Sequence, residues 1–269
     1  MAITRKLFSV VSVVLLAVLS LSACGDKDSA GDAPSSAVGG ATTLTAANFA
    51  QALTDSQAKA RSAHVTMAIG VAGQSIKATG DVAVGETPAD SSLTMTMDMG
   101  SSIKLDMRLV DKVLYMNMGQ MTQGKYLKID LTDADNPFAK QYGQILDQMD
   151  PAKQMADLKD AVTSFEKKGA PQTIDGVEAQ PYEVKVDTSK IKAFSDLPAE
   201  ATAQFPKTLV YTLYVGSDKL MRRMEFEIAG STSTIDYSKW GEPVDIKAPS
   251  ADEVSDKDLG ALMGSVPSV

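Results

Sequence analysis

The chain has 269 residues and a formal charge of −8, with 34 acidic residues against 26 basic ones, 44% apolar residues and a single cysteine. Such an acidic chain is a poor partner for nucleic acid, whose phosphates demand a Lys/Arg face, and its folded surface is not built to hug an anionic membrane. One cysteine leaves no internal disulfide, so stability must come from a packed core, for which the length suffices in one domain or at most two.

The amino terminus carries Arg5 and Lys6, then an uncharged run from Leu7 to Leu19, and then Leu21-Ser22-Ala23-Cys24. The run is shorter than the ~20 apolar residues that span a bilayer, and its flanks are those of a secretory signal. The Leu-Ser-Ala-Cys end resembles the lipobox of bacterial lipoproteins. That resemblance implies cleavage between Ala23 and Cys24, with 1–23 as the signal peptide and a diacylglycerol on the Cys24 thiol. Two acyl chains suffice for stable attachment to the extracytoplasmic face of the cell membrane. Without Arg5 and Lys6 the formal charge becomes about −10. Residues 24–44 form the acylated cysteine and a flexible tether, because Gly25 to Ala41 reads GDKDSAGDAPSSAVGGA and has no periodic apolar face.

A helix is predicted to open at Thr45 as N-cap, with Phe49 and Leu53 on its apolar face. After Ala63 the period changes to two. Val65, Met67, Ile69 and Val71 read as one strand, and Ile76, Ala78, Gly80, Val82 and Val84 as its return across a turn at Gly73-Gln74. Leu93, Met95, Met97 and Met99 follow, then Gly100-Ser101-Ser102, then Ile103, Leu105, Met107 and Leu109. Asp111-Lys112 turns the chain into Leu114, Met116 and Met118, and Leu127, Ile129 and Leu131 close this antiparallel meander. Asn136-Pro137 reads as a helix start, with Phe138, Tyr142, Ile145 and Met149 on one face. A second helix from Asp150-Pro151 would place Met155, Leu158, Val162 and Phe165 together and end near Lys168-Gly169. Strands resume with Tyr182, Val184 and Val186. Residues from Ile191 to Phe205 read as helical or irregular. Leu209, Tyr211, Leu213 and Val215 alternate, then Leu220, Arg222, Met224, Phe226 and Ile228 across a Gly216-Ser217-Asp218 turn. Ile235 and Tyr237 lie on a last strand.

The order helix, strands, helices, strands predicts an α+β fold with a large antiparallel sheet. Few amphipathic helices are available to cover its apolar face. A strongly curved sheet, an open half-barrel with helices on its concave side, fits that shortage.

No catalytic constellation stands out. His64 is the only histidine and lacks a G-x-S-x-G elbow; no H-E-x-x-H, P-loop or dinucleotide fingerprint occurs. Asp133 and Asp135 read as ordinary turn carboxylates. The chain is therefore read as a non-enzyme with no cofactor. Methionine is the anomaly: seven of the fourteen lie between Met95 and Met121. Alternation puts Met95, Met97 and Met99 on one strand face, with Met116 and Met118 on the matching face of a neighbour. A Met-lined surface adapts to ligands of variable shape, but the same pattern fits a dry core. Met116, Met118 and Met121 also have a spacing suited to soft Cu(I), without a supporting His or Cys.

The lipobox, the tether, the meander, the segment Tyr126-Leu127-Lys128-Ile129-Asp130 and the ending Tyr237-Ser238-Lys239-Trp240-Gly241-Glu242-Pro243-Val244-Asp245-Ile246-Lys247-Ala248-Pro249 together resemble the LppX/LprAFG family of actinobacterial lipoproteins. The likeness implies a single half-barrel over 45–254, similar to Lol-type lipoprotein carriers, with a C-terminal tail at 255–269. It implies a hydrophobic cavity for an acylated lipid or glycolipid that is moved within the cell envelope, with an envelope transporter as a further partner. Strand alternation then makes Met95, Met97, Met99, Leu105, Met107, Leu114, Met116 and Met118 the lining, faced by Phe138, Tyr142 and Ile145. A structural or interaction lipoprotein with a filled core is the competing reading, and a copper-binding lipoprotein the third.

Overall fold

The computed structural model describes residues 43–71, 74–86, 90–100, 104–133, 135, 160–191, 206–228 and 230–256. One α-helix lies wholly among them, α1 at Phe49–Ala60. It opens three residues later than expected. The Thr45 carbonyl accepts the Asn48 and Phe49 N–H groups, while Asn48 Oδ1 reaches back to the Thr45 N–H at 2.7 Å. Thr45 thus belongs to a turn ahead of the helix, with Asn48 at the cap position. Arg61, left-handed at φ 67°, ends α1 and feeds directly into the first strand.

Twelve strands follow: β1 Ser62–Val71, β2 Gln74–Ala83, β3 Ser92–Asp98, β4 Lys104–Val110, β5 Val113–Asn117, β6 Leu127–Asp130, β7 Val162–Lys167, β8 Gln172–Ile174, β9 Val177–Asp187, β10 Thr208–Gly216, β11 Met221–Ile228 and β12 Ser231–Ser238. They form one antiparallel sheet in the order β6-β5-β4-β3-β2-β1-β12-β11-β10-β9-β7, with β8 beside β7 on the edge of β9. Two meanders are thereby joined at β1–β12. β6 and β7, consecutive in sequence, stand at opposite edges, so the sheet is open.

The expected alternation sets the register. Leu93, Met95 and Met97 are buried on β3, opposite Leu109, Met107 and Leu105 of β4. Asp111 and Lys112 both adopt positive φ, 50° and 64°, giving the two-residue turn whose twist matches a hairpin. Gly80 sits between Val65 and Met95 in the register. A Cβ on it would lie 2.0 Å from the Thr94 carbonyl oxygen and 2.9 Å from Met95 Cα, so β2 and β3 approach more closely here than any side chain permits.

The second predicted helix holds at Asp160 and Ala161 and is corrected after them. Val162–Lys167 is strand β7, not helix. It pairs with β9, and Phe165 stacks between Phe49 of α1 at 4.4 Å and Tyr182 of β9 at 4.9 Å. The i, i+3 spacing of Val162 and Phe165 imitates a helix, while ladder bonds and this aromatic stack hold a strand. The remainder of both predicted helices, 136–159, lies outside the described residues, as do most of residues 191–205. The hairpin β8–β9 was not expected. It turns on Asp175-Gly176, both at positive φ.

α1 lays Phe49, Ala50 and Leu53 into the main core with strand residues from both meanders. The opposite face of the sheet is polar. There Arg223 Nε bonds Asp236 Oδ1 at 2.6 Å, and His64 Nδ1 lies 2.7 Å from Asp81 Oδ1. Beyond β12 the chain straps that polar face. The Gly241 N–H donates to the Ser62 carbonyl, Arg108 Nη1 reaches the Lys247 carbonyl at 3.4 Å, Pro249 is buried, and Tyr126 pairs in parallel with Val254.

Candidate functional site

The sheet presents its apolar side chains in cross-strand rows. One row runs Tyr237, Val65, Gly80, Met95, Met107, Met116 and Leu127 from β12 to β6. A second runs Ile235, Met67, Ala78, Met97 and Leu105. Directly opposed residues on one face lie ~5 Å apart, so each row is a continuous strip of contact. Five of the expected lining residues, Met95, Met97, Leu105, Met107 and Met116, lie in these two rows, and Leu114 lies in a third, between Leu109 and Ile129. Met95, Met97, Leu105 and Met107 are buried, while Met99, Leu114, Met116 and Met118 are half-buried against the same core. Burial is thus deep on β3 and β4, loosens at β5, and returns at β6, where Leu127 and Ile129 are buried. Phe138, Tyr142 and Ile145 lie outside the described residues, as do Ala23 and Cys24.

The methionines do not form a thioether cluster at the loop. Met116 and Met118 pack into the core, whereas Met121 is 63% exposed on the 3-10 turn Gly119–Thr122. Asn117 and Thr122 brace that turn: Asn117 Oδ1 accepts from the Gly119 N–H at 2.9 Å and from the Thr122 hydroxyl at 3.1 Å. Asp133 has the turn role expected of it, accepting the Asp135 N–H at 2.9 Å.

The fold also buries polar atoms that periodicity does not disclose. Among the described residues, Gln57 Nε2, Arg222 Nη1 and the Tyr237 hydroxyl are buried without a hydrogen-bond partner. Gln57 faces the core from α1. A bulge shifts β11 against β10, so that Tyr214 opposes Arg223 and Val215 opposes Met221; Met221 thereby takes the apolar face, and Arg222 lies beside Gly216 and Asp218 on the other. Its other terminal nitrogen, Nη2, bonds Asp218 Oδ2 at 2.5 Å. Alternation had put Arg222 and Tyr237 on strands with no role, and Gln57 gave no signal.

Burial pushes the Tyr237 phenol above its ordinary range and that of Tyr211 up to about 12. An unfolded chain would ionise both near pH 10. Above that pH the unfolded state binds fewer protons than the folded one, so stability falls as pH rises. The melting temperature is expected to be flat up to about pH 9.5 and to drop between about pH 10 and 12, in a Tyr211→Phe variant less steeply than in the parent.

No helix among the described residues is long and apolar enough to cross a membrane, and no group of three or more His, Cys, Asp or Glu among them could hold a metal ion. The fold is similar to that of the Mycobacterium tuberculosis lipoprotein LppX, at 14% identity and a TM-score of 0.52, covering 75% of this chain and 98% of that one. It is also similar to LprF from Mycobacterium bovis, at 16% identity and a TM-score of 0.50, covering 76% and 98%. No curated protein matches the sequence. The LppX_LprAFG lipoprotein family matches residues 45–246, three quarters of the chain. The sheet of two joined meanders, its Met-rich face and this match agree, and the chain belongs to the LppX_LprAFG lipoprotein family.

Proposed function

We propose that the protein holds the acyl part of an amphiphilic lipid or glycolipid against the apolar face of its sheet and carries it within the cell envelope, tethered to the membrane through Cys24. The observation that carries this reading is the loosening of the methionine row toward β5: Met95 and Met107 are buried, whereas Met116, next in the row, is only half-buried. Met116, with Leu114 and Met118, is left half-buried between the β3–β4 core and the buried pair Leu127 and Ile129 of β6, and a flexible thioether surface there suits chains of differing shape. Each methylene taken from water contributes ~0.8 kcal/mol, so even a partly buried chain supplies a large gross affinity before ordering costs.

Native mass spectrometry of the mature chain carrying Cys24→Ser, which has no covalent lipid of its own, tests this directly. The expected spectrum shows a population heavier by one lipid. A protein that shows only its bare mass, and takes up no fluorescent fatty acid, ends the carrier reading and leaves the filled core. Anchoring has its own test. In cells the Cys24→Ser variant should lose all metabolic labelling with a fatty-acid probe, because no other thiol exists in the chain; normal labelling would end the lipoprotein reading of that cysteine.

A further inference from the structure

Among the described residues two large apolar side chains are exposed, Met121 at 63% and Val210 at 41%. Met121 stands on the turn Gly119–Thr122 between β5 and β6. That turn is braced on both sides. Thr122 is buried, and its hydroxyl accepts the Met118 N–H at 3.0 Å. Asn117 Nδ2 donates to the Gly124 carbonyl at 2.8 Å. From Asn117 to Gly124 the sequence NMGQMTQG carries no charged side chain. Such a tip has no charge to desolvate and holds its apolar side chain outward, as insertion into a lipid interface requires.

Its place in the fold gives a direction. Through the ladder Asn117 is level with Asp106, Thr96, Thr79 and Thr66, so Met118 to Met121 lie at the end of the sheet where β1 and β3 finish. Burial falls in steps toward that end: Met97 and Leu105 are buried, Met99 and Met118 are half-buried against the same core, and Met121 is open. The opposite end is closed. There the Trp240 ring stacks on Tyr237 with centroids 5.8 Å apart, its indole N–H donates to the Met221 carbonyl at 2.8 Å, and Gly241 lies against the last residue of α1, Ala60. From that closed end α1 points back toward the methionines. Its first residue, Phe49, stacks on Phe165, level with Val184, Tyr211, Phe226 and Ser233, two rows beyond Tyr237. The chain that starts from Cys24 therefore joins the folded body, ahead of Phe49, on the Met121 end.

Resting on the lipid-binding reading above, we propose that this end of the sheet is the face presented to the membrane, and that Met121 enters the bilayer interface, so that an acyl chain passes from the bilayer to Met118 and Met116 without crossing water. The formal charge of −8 works against ionic attachment, so the contact is apolar. One side chain holds only weakly. The tether compensates, because it keeps the body at high local concentration over its own membrane.

The test couples the mature chain through Cys24, its only thiol, to a maleimide lipid in phosphatidylcholine vesicles made with or without bromine on the acyl chains. Trp240, the only tryptophan, reports the closed end, and Met121→Trp adds a reporter at the tip. Brominated chains should leave the parent's emission unchanged and quench most of the emission that Met121→Trp adds. Quenching of both tryptophans, or of neither, overturns the docking end. Added emission that ignores bromine but shifts with protein density on the vesicle assigns the tip to a second copy, and overturns it too. A second assay offers a pyrene-labelled hexadecanoic acid. The tethered chain with Met121→Asp should take it from vesicles about fivefold more slowly than the parent, whereas the untethered Cys24→Ser chain should take it from buffer equally well with or without Met121→Asp. Equal rates from vesicles overturn the docking end while the carrier reading stands. If the parent takes the probe from neither source, the carrier reading fails, and bromine quenching alone then decides the docking end.

Discussion

Gly80→Ala should be among the most damaging single substitutions in the protein. The added methyl would stand 2.0 Å from the Thr94 carbonyl oxygen and 2.9 Å from Met95 Cα. Both obstacles are backbone, and neither can rotate aside. β2 and β3 would have to part, breaking ladder bonds between Lys77–Ala83 and Ser92–Asp98. Overpacking of a well-filled interior costs about 1–3 kcal/mol, and a backbone clash belongs at or above the top of that range. For a domain of this size the melting temperature should fall by roughly 10 °C or more. Gly169→Ala is the control. Nothing lies within 4 Å of its Cβ position, and only its φ of +65° is unfavourable, so roughly 1 kcal/mol is expected. Equal melting temperatures for the two variants would mean that β2 and β3 do not approach as described.

A pair of tryptophans should separate packing from binding. Met97 is 2% exposed and wedged in register between Ala78 and Leu105. Met97→Trp should therefore cost about 1–3 kcal/mol of stability whether or not the parent binds lipid. Met116, half-buried on β5, has room to yield. Met116→Trp should leave the melting temperature within a few degrees of the parent's and lower fatty-acid uptake at least tenfold. The two are read by thermal melts and by fluorescent fatty-acid titration. Unaltered uptake in Met116→Trp would remove the outer methionines from the site.

The first meander was legible because its signal is redundant. Leu93, Met95 and Met97 repeat the alternation of Leu105, Met107 and Leu109, and Asp111-Lys112 marks the turn after them, so pattern and turn chemistry agree. β7 was misread because Met155, Leu158, Val162 and Phe165 satisfy a helical period, while the decisive contacts of Phe165, with Phe49 and Tyr182, come from residues far away in sequence. β8 has only three residues, too few to show any period. The shared face of the methionines was legible from alternation alone. The unpaired donors at residues 57, 222 and 237 were not, since each looks ordinary in its own segment, and neither was the β1–β12 junction, which pairs residues far apart in sequence.

That junction has a consequence for how the chain can acquire its structure. Each meander is assembled from neighbouring hairpins and can form as it emerges. The two meet only when β12 pairs with β1, His64 opposite Ser238, and the strap then ties Ser62 to Glu242 and Tyr126 to Val254. Closing so long a loop carries the entropic cost that makes non-local pairing slow. A chain threaded through a membrane from its amino terminus would expose β1 as an unpaired edge until its last strands follow. During that interval β1 is the segment most in need of a chaperone, and the order of synthesis, rather than the strength of any one contact, sets how long the exposure lasts.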